Sequence, residues 1–192
     1  MYIAIEGIDT AGKSTQIEAL TNHFSDAIVT KEPGATPIGV KIRELVLEGK
    51  GSAKTELLLF LADRAEHIAT VIEPNYKNKL ILSDRSAVSG IAYALQQNIF
   101  SKEKLVELNH FATNKLYPDT VFLLQLTQKE LEFRLSQKTL DGIELRGVEY
   151  LLKIQQNLIE AANLLDINLV IIDATKPKEK ITQEILEYLN NN

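Results

Sequence analysis

Gly7-Ile8-Asp9-Thr10-Ala11-Gly12-Lys13-Ser14 decides the fold. The stretch follows G-x-x-x-x-G-K-[ST], a loop that cradles polyphosphates. Tyr2-Ile3-Ala4-Ile5 ahead of it is a short apolar run that reads as a buried strand. Behind it, Ile17, Leu20, Thr21 and Phe24 recur at helical spacing. A polyphosphate needs several backbone N–H groups pointing inward at once. Gly7 and Gly12 carry no Cβ, so the chain is free to curl closely around an anion. The following helix adds its free N–H groups and a partial positive end. Lys13 supplies a point charge for the β- and γ-phosphates, and Ser14 a hydroxyl for Mg²⁺. The loop therefore points to a nucleoside triphosphate and is silent on its use.

The length of 192 residues fits one α/β domain of ordinary size. At 45% hydrophobic and 24% charged residues, the chain has enough apolar mass for a core without metal or disulfide staples. It has no cysteine, which excludes disulfides and thiolate metal sites and leaves the compartment open, though a reducing one fits; a cytoplasmic location is the expectation. The phosphate loop begins at residue 7, so no leader peptide is expected ahead of it. No apolar run approaches the ~18 residues of a membrane span. A net charge of −5 argues against nucleic acid as a partner. A small anionic substrate is still within reach of a few local arginines.

Five apolar runs read as strands: Tyr2–Ile5, Ala27–Thr30, Leu80–Ser83, Thr120–Leu126 and Leu169–Ile172. Helical patterns fill the gaps, which implies a five-stranded parallel sheet with helices on both faces. Ligands of such sheets sit at the carboxyl ends of the strands. That rule selects Gly7–Ser14, Lys31–Gly39, Asp84–Arg85, the residues from Thr127 onward, and Asp173–Pro177. Pro37 suits the first turn of a helix that runs toward Leu47 and carries Arg43. Over Glu56–Ile72, Leu57, Leu61, Ala65, Ile68 and Ile72 form a core stripe, and Pro74 ends the helix. Phe60 and Arg64 share one face, a pairing able to stack on and hydrogen-bond a flat ligand, or a core phenylalanine beside a surface arginine. Asp63 and Glu66 read as solvated, and His67 as satisfied or exposed. Asp84 closes a strand beside the phosphate loop, where an acidic group serves Mg²⁺ or its waters. Between Gln128 and Glu160 the helical pattern breaks around Lys138–Gly147, with Asp141-Gly142 as the interruption. Mixed charge and glycine there fit a mobile flap, and flaps that close over phosphates commonly carry arginines.

Together these residues resemble the thymidylate kinases, members of the P-loop nucleoside monophosphate kinases, over essentially the full chain. The family's E-G-x-[DE]-x-x-G-K-[ST]-T is similar to Glu6–Thr15, and R-E-P-G-G-T-P-x-G to Lys31–Gly39. F-x-A-D-R-A matches Phe60–Ala65, and D-R-[YH]-x-x-S-x-x-A-Y matches Asp84–Tyr93. The resemblance implies one P-loop kinase domain over residues 1–192 with a short lid at about 136–148. It implies transfer of a phosphoryl group from ATP to dTMP with Mg²⁺, in dTTP synthesis, by a homodimer. Gly7, Ile8, Asp9, Thr10, Ala11, Gly12, Lys13, Ser14 and Thr15 would hold ATP, with Ser14 and Asp84 on the metal. Phe60 would stack on thymine, Arg64 would bond a base carbonyl, and Tyr93 would crowd a 2′-hydroxyl. Asp9, Arg43 and Ser89 would line the acceptor side, and Arg85 would bridge the two substrates' phosphates.

The departures from the family pattern matter. Lys31 and Ala35 replace Arg and Gly, Ser86 replaces an aromatic or His, and Gly142 stands where many relatives have Arg. Thr10 is not the arginine that some relatives carry at that place, so a flap arginine is expected instead. Arg146 and Arg134 are the candidates, with Lys138 third. Two other readings stay open: a P-loop kinase for a different small nucleoside or nucleotide, and a nucleotide-dependent switch without an acceptor. Asn114-Lys115 resembles the start of the guanine-reading N-K-x-D, but Tyr117 stands in the Asp position.

Overall fold

The five apolar runs become five parallel strands: β1 (Tyr2–Glu6), β2 (Ile28–Lys31), β3 (Ile81–Asp84), β4 (Thr120–Gln125) and β5 (Leu169–Asp173). The computed structural model describes residues 1–140 and 143–191. Asp141 and Gly142, read from the sequence as the interruption of the flap, lie outside the described residues. The sheet order is β2-β3-β1-β4-β5. β1 is flanked by strands on both sides and covered on both faces, and all five of its residues are buried.

Eight helices connect and cover the described strands: α1 (Lys13–His23), α2 (Pro37–Leu47), α3 (Ala53–His67), α4 (Ala87–Gln96), α5 (Lys102–Thr113), α6 (Gln128–Ser136), α7 (Val148–Leu164) and α8 (Lys178–Asn191). The crossover from β1 to β2 runs in one direction along the sheet, and the later crossovers run in the other. Right-handedness therefore puts α1 on one face and α3 to α7 on the opposite one. The packing agrees: α1 lies against α8, α4 against α7, and α3 against α4 and α5.

Local chemistry sets the helix ends. Pro37 opens α2, and the Thr36 hydroxyl accepts from Gly39 N at 2.9 Å. Ser52, Ser101 and Thr127 cap α3, α5 and α6 in the same way. Asn114 and Lys115 take left-handed φ of 50° and 61°, so α5 stops at Thr113. The long stripe of α3 is real but not one helix. After His67 the chain widens into a π-type turn over Ile68–Ile72, with Glu73 N donating to Ile68 O at 2.8 Å.

The chain leaves β1 toward one edge and β3 toward the other. The crevice at the carboxyl ends of these two neighbours is the switch point where open α/β sheets bind ligands. Ile5 and Asp84 are register partners across it.

Candidate active site

The phosphate loop leaves β1 with Gly7 at φ 152° and enters α1 through Gly12 at φ 98°. No side chain caps α1, so its first N–H groups are left to an anion. Lys13 is only 8% exposed, and its Nζ donates to Ile8 O at 3.1 Å and lies 3.8 Å from Asp9 Oδ1. Burial, together with the nearby Arg85 charge, lowers its pKa to about 8. Ser14 Oγ donates to Asp84 Oδ2 at 3.2 Å. Asp84 Oδ1 is buried with no protein partner, an orphaned acceptor beside the loop.

Arg85 follows Asp84 at φ 71°, a conformation that turns its side chain into the crevice. Its guanidinium donates to Asp9 Oδ1 at 2.6 Å, to Ser89 Oγ at 3.0 Å and to Gly7 O at 3.3 Å. It also lies over the Tyr93 ring, 5.8 Å from the centroid. Tyr93 is pushed up to about 12 by burial, and its hydroxyl is buried without a partner. Ser89 is held from behind by Glu6, a wholly buried carboxylate. Glu6 Oε2 accepts from Ser89 Oγ at 2.6 Å, and Oε1 accepts from Ser86 Oγ at 2.8 Å and from Ser89 N at 3.2 Å. Burial raises the Glu6 pKa against those bonds and the Arg85 charge.

Arg64 is not the surface arginine of the simpler sequence reading. It is 3% exposed; Nε donates to Glu32 Oε2 at 2.9 Å and NH1 to Asn109 Oδ1 at 2.8 Å. Its NH2 group makes a long 3.5 Å contact with Ser86 O, which ties it to the start of α4. Glu32 is shared with His67, whose Nδ1 lies 2.9 Å from Oε1, while its Nε2 lies 2.6 Å from Thr30 Oγ1. Burial opposes ionisation of Glu32, but Arg64 and His67 outweigh it and hold the carboxyl below its ordinary value. Asp63 corrects the expectation of a solvated residue: it is 1% exposed and accepts from Gly34 N at 3.0 Å. Arg43 NH1 donates to Pro33 O at 3.2 Å, so the Lys31–Gly39 loop is tied to both α2 and α3. Phe60 is half-buried one turn before Arg64.

The two arginine candidates of the flap differ. Arg134 is engaged throughout: Nε to Glu130 Oε1 at 2.7 Å, NH1 to Thr10 O at 2.9 Å and NH2 to Ala174 O at 2.7 Å. It braces the phosphate loop against the end of β5. Arg146 is exposed, in a short 3₁₀ turn over Glu144–Arg146, and its contacts are the Tyr150 hydroxyl at 2.9 Å and the Tyr150 ring. Lys138 pairs with the buried Glu144 at 2.9 Å. Leu140 and Ile143 pack on the core.

The structure therefore brings together Asp9, Lys13, Ser14, Asp84, Arg85, Ser89 and Tyr93, and sets Arg64 behind Ser86. Arg43 touches the Lys31–Gly39 loop, and Arg146 touches Tyr150. Sequence reasoning missed Glu32, Asn109 and the Glu6–Ser86–Ser89 cluster as organising groups. The available signal was a glutamate in each of two loop motifs, but nothing in the chain order pairs Glu32 with Arg64 or Glu6 with Ser89.

Comparison with known proteins identifies thymidylate kinases as similar to this chain. A thymidylate kinase family model matches residues 5–185. A thymidylate kinase of Sulfurimonas denitrificans is 66% identical over 99% of this chain and 100% of its own. One from Aliarcobacter butzleri is 53% identical over 99% of both chains. A crystal structure of thymidylate kinase from Ehrlichia chaffeensis superposes with a TM-score of 0.78 at 24% identity, covering 99% of this chain and 98% of that one, a likeness of fold. With the family model spanning nearly its whole length and full-length relatives this similar, the chain belongs to the thymidylate kinase family.

Proposed function

We propose that the crevice at the ends of β1 and β3 transfers the γ-phosphoryl group of ATP to dTMP, giving ADP and dTDP. Membership of the family supports the reaction. The observation that carries the assignment of roles is Arg85, one cation in contact with the phosphate loop at Gly7, with Asp9, and with the Tyr93 ring. Phosphoryl transfer needs in-line placement and neutralised charge more than covalent help. The acceptor already carries a phosphate oxygen as nucleophile, so no strong base is needed. In this reading the loop Gly7–Thr15 with Lys13 holds ATP, and Arg85 leaves Asp9 to bridge the two phosphate groups. Ser89 and Glu6 keep Arg85 from swinging out. Phe60 stacks on the pyrimidine, Arg64 donates to its carbonyl, Tyr93 packs against the sugar, and Arg43 faces the acceptor phosphate.

The residues fit Mg²⁺. The ion takes one or two carboxylates plus phosphate oxygens and waters, and the orphaned Asp84 Oδ1 beside Ser14 offers that set. Among the described residues no three acidic or histidine side chains gather into an all-protein cage. When bound, the ion would neutralise charge on the transferred group. Of the flap arginines we assign the charge-bridging role to Arg146, which has little to give up, and a bracing role to Arg134. The segment of about 136–148 is then the lid.

A homodimer is favoured by exposed apolar side chains on three helices that pack side by side: Leu47 on α2, Leu58 on α3 and Phe111, 85% exposed, on α5. No helix among the described residues is long and apolar enough to cross a membrane. A cytoplasmic location fits the use of ATP and the absence of cysteine.

The test is an acceptor panel with ADP release as readout. dTMP should stimulate turnover far above dCMP, dGMP or no acceptor. Turnover without acceptor dependence would leave only a nucleotide-dependent switch, and a better substrate among the others would redirect the assignment. Arg85→Ala should lower kcat roughly 10²–10³-fold, as for loss of one preorganised transition-state donor; a drop below about tenfold with the fold intact removes that role.

A further inference from the structure

We propose that Gly90 and Asn109 are positioning residues for Arg64 and, through it, set the affinity for the acceptor base. This rests on the reading of Arg64 as the donor to the pyrimidine carbonyl. Gly90 sits inside α4, where glycine is less favourable than alanine. The structure supplies a reason for it. A Cβ at Gly90 would lie 2.5 Å from Arg64 NH2, 3.0 Å from NH1 and 3.2 Å from Cζ. Carbon packs at about 3.5–4.0 Å, so the guanidinium would have to retreat by roughly 1 Å.

A surface arginine would swing away at little cost. Arg64 has nowhere to go: it is buried, with Nε on Glu32 and NH1 on Asn109. Asn109 is itself fixed, because its Nδ2 donates to Leu105 O at 2.8 Å, one turn back in α5, and this leaves Oδ1 facing the guanidinium. Three separate elements therefore define the plane of the fork: Glu32 at the end of β2, the bare backbone of α4, and a side chain from α5. Of the five N–H groups in a guanidinium, Glu32, Asn109 and Ser86 O take one each, leaving two for a ligand. Their direction depends on the cradle and not on Arg64 alone.

The base sits away from the reacting phosphates. Losing this orientation should weaken substrate and transition state alike, raising KM and sparing kcat. The experiment uses the full-length enzyme with dTMP and ATP varied separately, on Gly90→Ala, Arg64→Lys and the double variant. Arg64→Lys keeps a cation beside Glu32 but lacks the planar fork. Gly90→Ala is expected to raise KM for dTMP about tenfold or more, with kcat within about threefold and KM for ATP unchanged. In the Arg64→Lys background the same alanine should add nothing, because the atoms it strikes are gone. Asn109→Leu should raise KM for dTMP in the same sense.

If Arg64→Lys raises KM for dTMP and Gly90→Ala does not, the cradle is wrong and the role of Arg64 stands. Should neither move KM for dTMP, the role of Arg64 itself falls. If Gly90→Ala unfolds the protein both with Arg64 and with Lys at position 64, as read by circular dichroism, the glycine serves helix packing and the proposal is overturned.

Discussion

Arg85 and Thr10 hold left-handed backbone, at φ 71° and 69°, on the two sides of the crevice. Such a conformation is an outlier for a β-branched residue, and the Thr10 hydroxyl is also buried without a partner. The Thr10 carbonyl is meanwhile held by Arg134, which keeps the loop in that shape. Thr10→Gly should relieve the strain and raise stability by about 1 kcal/mol in urea unfolding, after glycine's own entropy cost; a loss of stability would show that the conformation is not strained. Lys13 gives a pH prediction. Burial favours its neutral form, so in the ligand-free site it begins to lose its proton near pH 8 and not near 10.4. ATP affinity should therefore fall as pH rises above about 8, and Lys13→Met should bind weakly without that fall. For stability the sign is opposite: between about pH 8 and 10.4 the unfolded chain holds a proton the folded one lacks, so this group's contribution rises with pH.

At the scale of elements, a buried ionic network fastens α3 to the loop after β2. Glu32 is the hub, shared by Arg64 and His67. Glu32→Ala should cost about 3–5 kcal/mol in urea unfolding, since it strands a buried guanidinium; a cost below about 1 kcal/mol would mean that water replaces the carboxylate. The Glu32 pKa is depressed, so its stabilisation is present above the unfolded value and is lost as pH falls through the folded one. Glu32→Gln should flatten the dependence of stability on pH below about 4. The apolar stripe of α3 was legible because hydrophobic periodicity reports which positions face the core. Asp63 was not legible. Its burial depends on Gly34 N, which lies far off in sequence. The π-type turn after His67 leaves no periodic trace either, since Ile68 and Ile72 are buried in any helical register.

For the whole molecule, the exposed Leu58 and Phe111 give a direct prediction. The protein should sediment as a dimer, and Leu58→Glu with Phe111→Lys should give a monomer that keeps its circular dichroism spectrum. A wild-type monomer would end that reading. The sequence by itself determined the strand positions, the parallel sheet and the phosphate loop, because each depends on neighbours within about a dozen residues: apolar runs, helical spacing, glycines in a fixed pattern. It also marked Asp84-Arg85 as a site, since strand ends in such sheets share one rim. Only the tertiary structure decided what those residues touch. It placed β3 and not β2 beside β1, putting Asp84 against Ser14 and Arg85 against Asp9. It also separated the bracing Arg134 from the exposed Arg146, and set Arg64 against Glu32, Asn109 and the backbone of Gly90. The physical reason is range. A buried charge is satisfied by whatever polar group the fold brings to it, and those partners come from elements whose order in space the chain's local pattern does not encode.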